Sequence, residues 1–97
     1  MDKLVIVSFD LYCTWDGKAP WYRVYVNNEL QTERTYKFNN ASEYLNERLP
    51  LYLTSGQHTI RIESLGVNAL FRPANLNIDT GSARILDQDK LLFEVHQ

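Results

Sequence analysis

Two histidines, one cysteine and twelve carboxylates are the groups from which this chain could build acid–base, nucleophilic or metal chemistry. His58 and His96 lie far apart, and no serine, cysteine or carboxylate stands at a motif spacing to either, so a catalytic triad is not expected. Cys13 alternates with apolar neighbours and reads as a small buried hydrophobe rather than a nucleophile. A lone cysteine also excludes an intramolecular disulfide and a multi-cysteine zinc site. Asp79, Asp87 and Asp89 sit at turns, where oxygen ligands can hold Ca²⁺. The segment DQDK lacks the density of a calcium loop, however, and aspartate is a favoured turn residue in any case. No Gly-rich phosphate loop, EF-hand loop or HExxH is present. The expectation is therefore no enzyme, no cofactor and no metal.

Binding residues are the better prospect. In WYRVYVNNEL, Tyr22, Val24 and Val26 share one face of a strand and Trp21, Arg23 and Tyr25 share the other. The first face is core material. The second sets two large aromatics beside a guanidinium, which suits a second core layer, a protein contact or a sugar platform. Residues 66–75, GVNALFRPAN, read as the longest irregular connection and carry Leu70, Phe71 and Arg72 as a second adhesive surface. Trp21, Arg23, Tyr25, Leu70, Phe71 and Arg72 are accordingly the candidate partner- or glycan-binding residues.

The elements that must hold these side chains are strands. Residues 3–15 alternate almost without error, with Val5, Val7, Phe9, Leu11, Cys13 and Trp15 on one face. Asp16-Gly17 and Pro20 end that strand, and Asn27-Asn28 turns the second one into a third over 29–38. In the third, Leu30, Tyr36 and Phe38 are expected to face the same way. Residues 39–46 are the one place where a helical turn is plausible. Leu49, Leu51 and Leu53 follow as an edge strand, or a strand beside a bulge, around Pro50, then HTIRIESL, a short strand at Leu76 and Ile78 closed by Thr80-Gly81, another at Ile85, and finally LLFEVH. About eight short strands with turns every 8–12 residues make an all-β antiparallel β-sandwich of jelly-roll type, one domain over residues 1–97.

Bulk properties narrow the partners. A net charge of −2, from 10 basic and 12 acidic residues, supplies no basic surface to displace counterions from phosphates, so no nucleic-acid partner is expected. No apolar run approaches the ~20 residues that span a bilayer, and no membrane role is expected. MDKLVIVSFDLY is interrupted by Ser8 and Asp10 without a cleavage site, so it reads as a strand rather than a signal peptide, in a protein made in a cytoplasm.

Two resemblances add to this. WYRVYVNNEL, SGQHTIRIES and ANLNIDT follow in the order and rough spacing seen in carbohydrate-binding modules of the xylan-binding jelly-roll type, over residues 21–80. That likeness implies a glycan ligand and matches Asp79 to the acidic residue of the modules' late "NLxVD" element, although GVNALFRPAN has no counterpart of their calcium loop. By size and architecture the chain also resembles the small jelly-roll proteins of tailed-phage virions, the capsid decoration and tail or baseplate accessory proteins. This second resemblance implies a non-enzymatic structural protein, made in the host cytoplasm and located in the virion, whose partner is a larger symmetric assembly. It is the leading expectation, with the glycan-binding module as the alternative.

Overall fold

The computed structural model describes residues 2–38, 42–79 and 82–96. Its elements are eight strands: β1 (Lys3–Trp15), β2 (Trp21–Val26), β3 (Glu29–Thr35), β4 (Leu45–Leu53), β5 (Gly56–Ser64), β6 (Ala69–Ile78), β7 (Ala83–Asp87) and β8 (Leu92–Val95). They form a three-stranded sheet of order β4-β1-β6 and a five-stranded sheet of order β3-β2-β5-β8-β7, with every pairing antiparallel. The expected all-β sandwich is the fold. The pairs β1·β6 and β2·β5 nest in sequence, one pair in each sheet.

Alternation explains the core. Val5, Val7, Phe9, Leu11 and Cys13 of β1 are buried, as are Tyr22, Val24 and Val26 of β2, Leu49 and Leu51 of β4, and Phe93 and Val95 of β8. One face of each sheet turns inward, and the buried side chains of both layers form a single cluster. Asn27 and Asn28 take φ values of 53° and 68°, the left-handed pair that a tight hairpin between twisted strands requires.

Three segments depart from the sequence expectation. Leu30 does not join Tyr36 and Phe38 in the core but is 50% exposed. The register slips between Val24 and Tyr25, so Thr32 lies opposite Val24 and Leu30 opposite Tyr25. One extra residue in β3 reverses the faces beyond it. Residues 66–75 are not one irregular connection, because β6 begins at Ala69 and pairs with β1 from Trp15 onward. Pro73 and Asn75 hide this strand in the sequence. β6 is a sheet edge, where proline is tolerated, and Asn75 (φ 56°) sits at a register shift against Ser8 and Asp10.

The third departure is β4, which starts at Leu45 and turns Glu47 inward, 1% exposed, among the leucines. The helical turn considered for 39–46 lies partly outside the described residues; Ser42 is in a turn and 45–46 already belong to β4. The Thr80-Gly81 turn also lies outside the described residues.

Candidate docking surface

Outward positions of β1 meet outward positions of both neighbours. Leu4 lies opposite Tyr52, Ser8 opposite Arg48, Asp10 opposite Asn46, Tyr12 opposite Arg72 and Thr14 opposite Leu70. Strand alternation delivers one such side chain every second residue, so three strands place tyrosines, arginines and leucines on one surface. Tyr52 is 71% exposed and Leu70 72%. Tyr44 leans on Tyr12 with ring centroids 5.4 Å apart, and the Arg72 guanidinium lies 4.6 Å from the Tyr12 centroid. That contact draws the guanidinium onto the Tyr12 ring by cation–π attraction. Asp10 is tied down by two amides: Asn46 Nδ2 donates to its Oδ1 and Asn75 Nδ2 to its Oδ2, each at 3.0 Å.

The upper end of this face runs into the loops that close the sandwich. A hollow beside Thr14 and Leu70 shares Asp16 and Asn68 with a cleft of about 410 Å³. Trp21, Leu65 and Val67 wall that cleft, together with Asp16, Lys18 and Asn68. Val67 is 95% exposed and Trp21 49%. The two loops are clamped together. Asp16 N–H donates to Asn68 O at 3.2 Å, and a Cβ on Gly66 would lie 2.6 Å from Pro20 Cβ, so only glycine permits this approach.

The six binding candidates thus divide among four places. Leu70 and Arg72 lie on the outer face of the three-stranded sheet, and Trp21 of β2 walls the loop-end cleft beyond it. Phe71 does not join them: it turns inward, 5.2 Å from Tyr22 and 5.8 Å from Tyr36 between ring centroids, as part of the core. Its parity within β6 is opposite to that of Leu70 and Arg72, which the expectation of a loop had concealed. Arg23 and Tyr25 stand on the outer face of the other sheet, in a charge ladder. Arg23 lies 3.6 Å from both Glu33 and Glu63, Tyr25 O–H donates to Glu63 at 3.0 Å, and Arg61 covers the Tyr25 ring at 4.2 Å. Self-paired groups of this kind make an ordinary solvated sheet face. Sequence reasoning missed Tyr12, Tyr44 and Tyr52. The alternation of β1 and β4 already set Tyr12 and Tyr52 outward, while Tyr44 stood in the stretch read as a helical turn.

The remaining chemical groups are engaged structurally. His58 Nδ1 takes a hydrogen from Asn27 Nδ2 at 2.6 Å while Nε2–H donates to Thr54 O at 2.8 Å, which sets the neutral tautomer with its proton on Nε2. Glu47 accepts from Tyr22 O–H and lies 3.2 Å from Arg34 Nε, with its Oε2 lacking a hydrogen bond among the described residues. It lines none of the hollows described here. Burial pushes the Cys13 thiol up, and burial followed by the Glu47 carboxylate pushes the Tyr22 phenol well above its ordinary range. Asp87 Oδ1 accepts from the N–H groups of Asp89 and Lys90 at 2.9 and 3.2 Å, an Asx turn, while Asp79 faces Arg48 at 4.0 Å. Among the described residues no three such groups gather as a metal site. Compared with known proteins, the chain matches no family model, no curated sequence and no solved structure.

Proposed function

We propose that this chain is a non-enzymatic structural protein that docks through the outer face of its β4-β1-β6 sheet onto the surface of a larger protein assembly. The observation that carries this reading is the crowding of Tyr12, Tyr52, Leu4 and Leu70 with Arg48 and Arg72 on three strands, with Tyr44, just before β4, leaning on Tyr12. Tyrosine and arginine are the residues that anchor protein interfaces, and Arg72 is already immobilised on Tyr12, so little of its freedom is lost on binding. The Asp10 carboxylate at the centre of the face is held by amides and Arg48 lies 4.0 Å from Asp79, which leaves the Arg72 guanidinium to meet a carboxylate of the partner. A phage particle is the assembly proposed. Its symmetric shell repeats one site many times, and repetition lets a modest single contact suffice.

Size-exclusion chromatography and pull-down against assembled particles test this. The wild-type protein should travel with particles, and Tyr12→Ala/Arg72→Ala should lose that association while keeping its melting temperature within a few degrees. A protein that stays a free monomer beside particles would sink the reading. A second reading rests on the loop-end cleft, where the half-exposed Trp21 indole faces Asp16, Lys18 and Asn68. An aromatic wall with polar groups is also how proteins hold a sugar ring. A glycan array run with and without Ca²⁺ distinguishes the two, since a docking protein binds no polysaccharide and is indifferent to Trp21→Ala there.

A further inference from the structure

Within the five-stranded sheet, β8 does not accompany β5 along its full length. β8 covers only Gly56–Thr59 of β5, and one further bond, Ile60 N–H to Leu91 O at 3.2 Å, ends that ladder. Beyond it the chain of residues 88–91 turns away. Ile62, Glu63 and Ser64 then pair with β2 alone among the described residues. The direction of their backbone groups follows from the neighbours. Asn27 N–H donates to Thr59 O at 3.0 Å and Leu65 N–H to Trp21 O at 2.9 Å, so odd-numbered residues of this stretch address β2. Ile60 N–H addresses the β8 side, and by strand alternation so do the N–H and C=O of Ile62 and Ser64. Where β8 is missing, they point into a groove of about 400 Å³.

The groove has an apolar floor and two rims. Ile60, Ile62, Phe71 and Leu91 line it, β6 bounds its far side through Ala69 and Pro73, and Asp89 and Lys90 close one end. Pro73 has no N–H, so the β6 rim competes poorly for a strand, whereas the β5 rim has backbone donors and acceptors without a partner strand.

We propose that this groove accepts an extended segment of another protein, which adds to β5 in line with β8. An extended backbone matches the alternating N–H and C=O of Ile62 and Ser64, and apolar side chains at every second position of such a segment would meet Ile62 and Phe71. A folded second copy fits poorly, because a sheet edge that brings its own layers has no room between β5 and β6. The proposal concerns a different surface from the tyrosine face and stands whether or not that face docks.

Amide hydrogen exchange followed by NMR tests it. The probe is a capped seven-residue peptide alternating threonine and valine, alongside the same peptide N-methylated at its valines. In the free protein the Ile62 amide should exchange much faster than those of Arg61 and Glu63, which sit in the β2 ladder. The peptide should slow Ile62 by about tenfold or more, leave Arg61 and Glu63 unchanged, and lose the effect on N-methylation. Equal protection of Ile62 and Arg61 in the free protein would overturn the proposal. So would equal protection by both peptides, or none from either up to about 1 mM. Protection that grows with protein concentration alone would transfer the groove to a second copy and equally overturn it.

Discussion

Asn27 carries more than a turn. Its left-handed backbone (φ 53°) closes the β2–β3 hairpin, while its side chain donates to His58 Nδ1 and accepts from Thr59 N–H at 3.1 Å. Asn27→Gly keeps the backbone and loses the two side-chain bonds; Asn27→Ala loses the bonds and also strains the backbone. Urea unfolding should show both variants destabilised, glycine by about 1–2 kcal/mol and alanine by about 1 kcal/mol more. Equal values would mean that the backbone conformation relaxes. Glu47 offers a second residue-scale test. Its removal leaves the buried Tyr22 hydroxyl without an acceptor, so Glu47→Ala should cost about 1–3 kcal/mol from that loss plus a cavity term. Replacing both partners with apolar groups removes the orphan. Tyr22→Phe/Glu47→Leu should therefore be more stable than Glu47→Ala in the same unfolding measurement.

At the scale of the element, β2 separates its two faces sharply. Val24 is fully buried between the sheets, and Val24→Asp would place an unpaired carboxylate there. The cost of several kcal/mol is comparable to the ~5–15 kcal/mol that hold a domain together, so this variant should be unfolded by circular dichroism. Trp21→Ala and Tyr25→Ala act on the other face. Trp21 is half exposed, and Tyr25 loses one hydrogen bond and the Arg61 contact, so each should cost on the order of 1 kcal/mol and leave a folded protein. If either melted the protein as badly as Val24→Asp, the outer face of β2 would be a packed layer and not a solvated ladder.

For the whole molecule, the buried thiol and phenols set a limit at high pH. Burial raises Cys13 above its ordinary value of 9.0 and Tyr22 and Tyr36 above 10.0. In the unfolded chain these groups lose their protons near those ordinary values, while in the folded chain they keep them to higher pH. The unfolded state then binds fewer protons, so stability is fully present below about pH 9 and falls as pH rises, by up to about 1.4 kcal/mol per unit for each group. Urea midpoints at pH 7.5 and 10.5 should show this loss, and Cys13→Ala should reduce its onset near pH 9. A flat profile would mean that the core admits the anions. The same closure predicts slow alkylation of Cys13 until the fold opens, in keeping with its place in the central strand β1.

The inward faces of β1 and β2 are legible in the sequence itself, because a period of two with every second residue apolar leaves only one way to bury a strand. The Asn27-Asn28 turn is equally legible, since few residues accept its backbone. What local pattern does not encode is which strand lies beside which. The slip in β3 that exposes Leu30 depends on pairing with β2, and the inward turn of Glu47 depends on Tyr22 and Arg34 reaching it from other strands. The strand β6 needed β1 as a partner to hold Pro73 on its edge and to absorb the left-handed Asn75 at a register shift. The candidate surface follows the same division. Trp21, Leu70 and Arg72 could be picked out by residue type, but Tyr12, Tyr44 and Arg72 meet only because β1 lies between β4 and β6, joining segments some thirty to sixty residues apart in sequence. Side-chain alternation is a property of the chain. The neighbours across each strand are a property of the fold, and they decide which of the outward residues form a surface.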